Sequence, residues 1–444
     1  MSACVHYRSM PLTEKSVEDA LALPDAHEIR IRASSIRHPI LRPISFNLKD
    51  GLSVDEAAIL AVIQNPILKA ERDKRDISNA EIIQAGILPN PDLSYSFQTP
   101  VGGDTEGKSD AYGMGFNWEI TSLIARGARK SSMRFKARSV DLSIAWKEWQ
   151  IAEAAKLAIY RVVLCNKRLF LKKRLFDLYE DLFSQMKKGI GLGVVTRPEI
   201  ISTKDRVEDA SMEVIRARAE LQDSWLNLKK ILGIPASMKL RLEKGIRLMK
   251  VQEIPAAHKL IEGLDKRRLD LVALRYGYKS QDERLREAIL AQFPKISLGF
   301  TAERDTDGAK IVGFGIGISI PIFNRNQGKI AIEKTTRKML FDEYSARLFE
   351  ARSEIYHLRE GLYFDFKQLD RLNRIIKRQA RINRLYYKAF RMGNASILDY
   401  YQRMIQLNKK RLQKVDLEKH IVSLEIGLEI ASGSYIFSGD GHGK

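Results

Sequence analysis

The chain has 444 residues, 44% hydrophobic and 29% charged, with 75 Lys and Arg against 55 Asp and Glu for a net charge of +20. Two cysteines, Cys4 and Cys165, are too few for a disulfide framework, and no run of 18 apolar residues marks a membrane-crossing helix. The basic residues are interleaved with acids along helical segments, so they read as the solvated faces of long helices rather than as a nucleic-acid footprint.

Residues 1–50 contain Pro11, Pro24, Pro39 and Pro43, show no sustained period, and read as an extended lead-in. Met1-Ser2-Ala3-Cys4 resembles the end of a bacterial lipoprotein signal with Met in place of Leu. Two expectations stand there: a start further upstream with lipidation at Cys4, or a chance cysteine. Ser53 and Glu56 have capping-box spacing and open a first helix, which Asn65-Pro66 interrupts before a second helix to about Gly86.

Period-two alternation then predicts two strands. In 92–98, Leu93, Tyr95 and Phe97 oppose Ser94, Ser96 and Gln98; in 111–118, Tyr112, Met114, Phe116 and Trp118 oppose Gly113, Gly115 and Asn117. A polar, Gly-rich loop, 99–110, joins them. No proline occurs from 120 to 188, which predicts a helix on the order of 100 Å long. Its stripe Leu164, Leu171, Leu175, Leu178 and Leu182 has heptad spacing. The turn 189–199 carries Gly193, Val194, Val195, Thr196, Arg197, Pro198 and Glu199, in which Thr196 and Glu199 have capping-box spacing. The return helix 197–232 repeats the period through Val207, Ala210, Val214, Ala217, Leu221 and Leu228.

The pattern then recurs about 205 positions later, with Pro294 standing where Pro89 stood. In 296–302, Ile296, Leu298 and Phe300 oppose Ser297, Gly299 and Thr301; in 311–320, Val312, Phe314, Ile316, Ile318 and Ile320 oppose Gly313, Gly315, Gly317 and Ser319. Leu348, Ile355, Leu358, Leu362, Leu369, Leu372 and Ile376 form the next heptad stripe, answered by Ile405, Leu412, Val415 and Val422. The second tip, 392–399, holds Gly393, Asn394, Ala395, Ser396, Ile397 and a second box, Ser396-x-x-Asp399. Glu199 and Asp399 read either as helix caps or as acids at the narrow end of a tube. The predicted organisation is a lead-in 1–50, a first repeat 51–250, a second repeat 251–432 and a tail 433–444.

The second face of every strand is small and polar with almost no charge, as in a membrane barrel with apolar residues to lipid and small polar ones to a lumen. Tyr95, Phe97, Tyr112, Phe116, Trp118, Leu298, Phe300, Phe314, Ile316 and Ile318 are the expected lipid-facing set. Four strands cannot close a barrel, and open edges are not tolerated in lipid, so strands must be pooled between copies. A homotrimer supplies twelve. The fold class expected is therefore mainly α with a β-barrel portion and a two-fold internal repeat. Gly313-x-Gly315-x-Gly317 lies within a strand and lacks Gly-Lys-Ser/Thr, so it is no nucleotide loop. The seven histidines do not pair with Cys or acids at ligand spacing, no nucleophile–base pair is evident, and no enzyme, cofactor or metal site is expected. A soluble basic coiled-coil or nucleic-acid-binding protein would explain the helices and leave the strands without a role.

The string from Gln84 to Ser96, with Gly51-Leu52-Ser53-Val54-Asp55-Glu56-Ala57, Phe293-Pro294-Lys295-Ile296-Ser297-Leu298 and the Gly393 turn, resembles the TolC-type outer-membrane efflux family over about 50–432. Ala145-Trp146-Lys147-Glu148-Trp149 is similar to the subgroup that serves heavy-metal pumps. The resemblance implies a trimeric twelve-stranded outer-membrane barrel continued by a periplasmic α-helical barrel. It implies a periplasmic adaptor gripping the tips and an inner-membrane resistance-nodulation-division pump as partners. It also favours lipidation of Cys4, and a duct for drugs, metal cations or, alternatively, secreted polypeptides. Asp399 falls where the family places an aperture acid, while the family's second acid position holds Gln402.

Overall fold

The structure, a computed structural model, describes residues 6–22, 26–47, 50–190, 195–248 and 254–437; Cys4, Gly193 and Val194 lie outside them. In chain order the elements are α1 (Glu14–Leu21), α2 (Ala26–Ser34), α3 (Val54–Gln64), α4 (Pro66–Gly86), β1 (Asp92–Gln98), β2 (Ala111–Glu119), α5 (Ser122–Ile190), α6 (Arg197–Leu232), α7 (Ala257–Ile261), α8 (Leu264–Arg267), α9 (Leu269–Leu290), β3 (Lys295–Arg304), β4 (Lys310–Ser319), α10 (Gln327–Arg391) and α11 (Ile397–Ser432). The chain divides into two compact units that cut across the repeats. One comprises Met1–Ala70, Ala145–Arg268 and Ala351–Lys444; the other comprises Glu71–Ile144 and Leu269–Glu350.

The second unit holds one antiparallel sheet in the order β1-β2-β3-β4. All four expected strands form, and the ladder carries β3 out to Arg304 opposite Lys310. Thr121 ties the sheet to the following helix: its hydroxyl oxygen accepts the Ile296 N–H at 2.5 Å.

In the first unit the capping box at Ser53 forms as the spacing predicts. The Glu56 N–H donates to Ser53 Oγ at 3.2 Å and the Ser53 N–H to Glu56 Oε2 at 3.0 Å. Gly51 takes a φ of +102°, and a Cβ there would stand 2.7 Å from the Leu242 backbone. That close approach lets Leu52 bridge residues 241–243, its N–H donating to Arg241 O at 2.9 Å. Asn65 serves two helices: its Oδ1 accepts the Ile67 N–H at 2.9 Å, and its amide donates to Ile231 O at 2.9 Å near the end of α6.

The long helices pack through the predicted stripes. Leu164, Leu171, Leu175, Leu178 and Leu182 of α5 are buried in one apolar cluster with Ala210 of α6 and with Ile405, Leu412, Val415 and Val422 of α11. Ile355, Leu362 and Leu372 of α10 are buried as well. Cross-helix bonds give the lateral order. Lys172 to Glu213 (2.7 Å) joins α5 to α6; Asn408 to Leu171 O (2.8 Å) and Lys167 to Glu418 (2.7 Å) join α5 to α11; Asn383 to Arg403 O (3.2 Å) joins α10 to α11. The order is α6-α5-α11-α10.

A charged cluster lies inside this unit, unsignalled by periodicity. Glu153 and Glu429 are fully buried, Glu425 is 1% exposed and Lys156 6%. Lys156 Nζ lies 2.7 Å from Glu153 Oε1 and over the Tyr435 ring, which packs edge-on against Trp149. Glu429 Oε1 accepts the N–H groups of Ile436 and Phe437, both at 2.9 Å, and so pins the segment after α11. Burial alone would lower the Lys156 ammonium, but Glu153, Tyr435 and Glu429 around it hold it above its ordinary range. Burial raises the Glu153 carboxyl against the pull of Lys156. The ammonium, held charged in contact with Glu153, is the one cation among several buried carboxyls. Burial pushes Glu425 up to about 8, with Glu429 pushing the same way.

Two outcomes follow. Lys156→Met strands buried carboxylates without a cation and should lower unfolding stability by about 3–5 kcal/mol in denaturant titration. At Glu425 the folded chain keeps, up to about pH 8, a proton that the unfolded chain releases in the ordinary carboxylate range. Stability therefore falls as pH rises through that window and levels off above it. Glu425→Gln should flatten this slope and gain up to roughly 4 kcal/mol at pH 8; an unchanged slope contradicts the assignment.

Candidate functional site: the bare strand face and the hairpin tips

Antiparallel register sorts the strand residues into rows across the sheet. Leu93, Phe116, Phe300 and Phe314 stand opposite one another in one row. Tyr95, Met114, Ala302 and Val312 form a second, and Trp118, Leu298 and Ile316 a third. Among the described residues none covers the first two rows: Leu93, Tyr95, Val312 and Phe314 are each about 70% exposed. Of the ten residues expected to face lipid, eight are exposed, while Trp118 and Leu298 are half-buried. The Trp118 indole N–H donates to Pro89 O at 2.9 Å, which holds that ring against the chain entering the sheet.

The opposite face is built on a steric rule. Gly115 faces Ser94, Gly113 faces Ser96, Gly313 faces Thr301 and Gly317 faces Ser297. A Cβ on these glycines would meet the facing hydroxyl oxygen at 2.5, 2.8, 2.8 and 2.6 Å respectively. Each small residue therefore makes room for a hydroxyl across the ladder, and the face stays thin and polar. The two strand loops are tied together: Lys108 forms an ion pair with Asp307, and the Ser109 N–H donates to Thr306 O at 2.8 Å.

At the first tip, Glu199 accepts from both the Thr196 N–H and its hydroxyl at 2.8 Å. These bonds hold the exposed Glu199 carboxyl below its ordinary range. At the second tip, Gly393 has a φ of +77° and its N–H donates to Phe390 O, while the Asn394 N–H donates to Ala389 O, both at 2.9 Å. The box expected at Ser396 is only half formed. Ser396 Oγ accepts the Leu398 N–H at 3.2 Å, but among the described residues no bond returns from Asp399 to the cap. Asp is one methylene shorter than Glu and stays exposed instead. Val195 is buried and Arg197 exposed at the first tip; Ala395 and Ile397 are half-buried at the second. Val195 and Leu398 touch one apolar cluster, which draws the two tips together.

The second tip also carries an aromatic group that periodicity did not single out. Tyr387 and Tyr400 lie 5.4 Å apart, Tyr400 and Tyr401 5.6 Å, and Arg403 sits over Tyr386 at 3.9 Å. Its signal was Tyr386-Tyr387 followed by Tyr400-Tyr401 across a turn, adjacent positions that heptad counting passes over. Among the described residues, no three His, Cys, Asp or Glu side chains converge as a metal site.

The hydroxyl–glycine pairs are testable. Ser94 Oγ also contacts Gly115 O at 3.4 Å, so Gly115→Ala must displace a bonded hydroxyl. The expected cost is about 0.5–1.5 kcal/mol, relieved in the Ser94→Ala/Gly115→Ala double variant; equal losses in both remove the pairing argument.

No family model matches the chain. The cobalt-zinc-cadmium resistance protein CzcC of Cupriavidus metallidurans is 25% identical over 300 residues, covering 66% of this chain and 69% of CzcC. The Campylobacter jejuni CmeC outer membrane channel superposes with a TM-score of 0.69 at 16% identity, covering 86% of each chain. The open-state Neisseria gonorrhoeae MtrE outer membrane channel gives 0.70 at 14% identity, covering 90% of this chain and 97% of MtrE. The exposed sheet, the two helical hairpins and these similarities agree: the chain has the fold of the TolC-type outer-membrane efflux channels.

Proposed function

We propose that three copies of this chain form the outer-membrane exit duct of a tripartite efflux system. The observation that carries this reading is the four-stranded sheet with a bare apolar face, a thin polar face and two open outer edges. Such a sheet is stable in lipid only when copies close it into a barrel. The helical hairpins continue the duct on the periplasmic side, and a periplasmic adaptor and an inner-membrane pump engage the tips. The duct is passive and holds no cofactor; it is a channel rather than an enzyme. The relative CzcC is a cobalt-zinc-cadmium resistance protein, which favours metal cations as the exported class. A soluble nucleic-acid-binding coiled coil has no use for the exposed strand face.

In this reading Tyr95, Phe97, Tyr112, Phe116, Trp118, Leu298, Phe300, Phe314, Ile316 and Ile318 face lipid, and Asp399 and Glu199 border the periplasmic aperture. The deciding experiment is fractionation and native mass measurement: the full chain should be recovered from outer membranes as a trimer. A monomer in the soluble fraction refutes the reading. Phe314→Lys should reduce the yield of membrane-assembled trimer through a cost of about 2–4 kcal/mol, whereas Thr301→Lys on the polar face should leave assembly intact. Asp399→Ala should raise single-channel conductance or weaken block by divalent cations in planar bilayers; unchanged currents remove Asp399 from the aperture.

A further inference from the structure

The apolar face of the sheet ends in charge, and at one end only. Register carries its rows on to Phe97, Tyr112, Arg304 and Lys310, which stand opposite one another beyond the row of Tyr95, Met114, Ala302 and Val312. Side chains alternate along each strand, so all four share the face of Leu93, Phe116, Phe300 and Phe314. Arg304 and Lys310 are the only charges on this face within the four strands. Lys295, at the other end of β3, pairs with Ser319 and alternates onto the polar face, as does Glu303.

The two cations lie directly across the ladder from each other, as the last pair of β3 and β4. Like charges in that position are destabilising. No described residue forms an ion pair with either of them, and the acids of the turn between them are engaged elsewhere. Asp307 pairs with Lys108, and Asp305 Oδ1 accepts the Thr306 N–H at 2.7 Å. The Arg304 guanidinium leans over the turn instead, where a Cβ on Gly308 would stand 3.8 Å from it, and Lys310 is exposed. Two positive charges are thus presented to whatever lies outside the chain, in one row with the exposed rings of Phe97 and Tyr112.

Depth agrees with this placement. Lys310 stands ten residues from the exposed Ile320, which follows β4 on the same face. That is roughly 33 Å along the strand, or roughly 25 Å of depth at a barrel tilt of about 40°. The outward apolar band of a membrane barrel is about 25 Å tall, with aromatic girdles at its interfaces. Phe97 and Tyr112 fall at girdle level, and Arg304 and Lys310 reach the headgroups. Loops 99–110 and 305–309 join the strands at this end, whereas α4, α5, α9 and α10 connect to the sheet at the other. With the helical hairpins on the periplasmic side, the cations meet the outer leaflet.

We infer that Arg304 and Lys310 form a binding site for the phosphate of the phosphorylated glycolipid that makes up the outer leaflet. Arg304 offers paired N–H donors to the phosphate oxygens, and Lys310 offers a mobile point charge. A phosphate between them replaces a cross-strand repulsion with two charge-assisted contacts, while the rows of Val312 and Phe314 receive the acyl chains. The site rests on the membrane-barrel reading proposed above and names the lipid that the barrel selects.

The test uses the full-chain trimer in detergent, with lipid A as the probe and native mass measurement of bound lipid as the readout. Diphosphoryl lipid A should bind about tenfold or more tightly than phosphatidylcholine, as two basic groups near an anionic headgroup provide, and monophosphoryl lipid A should fall between them. Arg304→Gln/Lys310→Gln should lose that preference, Arg304→Lys/Lys310→Arg should keep it, and Lys295→Gln on the polar face should leave it unchanged. Equal binding of diphosphoryl lipid A and phosphatidylcholine by the wild-type trimer overturns the site and leaves the barrel standing, and this comparison decides the case even where the Gln pair does not assemble. A preference that survives in an assembled Gln pair overturns it as well. Displacement of the lipid by inorganic phosphate at the same concentration makes the site one for a soluble anion and overturns the lipid assignment. A wild type that is not a membrane trimer overturns both readings.

Discussion

Among the described residues no strand pairs with the outer edges of β1 and β4, which each present a row of backbone N–H and C=O groups, and much of the apolar side of the same sheet is exposed. In water such a sheet invites aggregation; in lipid, every unpaired backbone group costs several kcal/mol. Only closure with further copies satisfies both the edges and the face. Glycine opposite serine or threonine keeps the inner side thin enough for a lumen, so one register sets both faces.

The helical unit has the same incompleteness in another form. Its four long helices form an open layer, α6-α5-α11-α10, whose end helices each have one packed stripe and one bare stripe. In the assembly proposed above each copy contributes one sheet and one helical layer, so the same copy number closes both.

The net charge of +20 therefore has structural content. Much of the basic excess lies on exposed faces, notably the acid-free run of α10 from Arg371 to Arg391. Inside the unit the balance reverses: the one buried Lys156 is acted on by Glu153 and Glu429, and Glu429 in turn by the buried Glu425. That cluster, with Arg267 donating to Ser432 O at 2.9 Å and Arg268 to Ala431 O at 3.2 Å, anchors the end of α11 and the segment after it.

What the sequence determined by itself is whatever depends on period. Alternation by two placed all four strands and their faces, steps of three and four placed the packed stripes, and a capping box placed the starts of α3 and α6. These are local signals, written by which side of a strand or helix meets an apolar neighbour. Asp399 shows the limit even locally: the spacing matched a capping box, but a side chain one carbon shorter than Glu does not return to the cap. What only the tertiary structure decided is which surfaces remain free. Glu153 and Lys156, three residues apart, look like a surface pair until α11 buries them, and the bare stripes of α6 and α10 become edges only once α5 and α11 occupy the middle. Neighbours distant in sequence make those choices, and no periodicity encodes them.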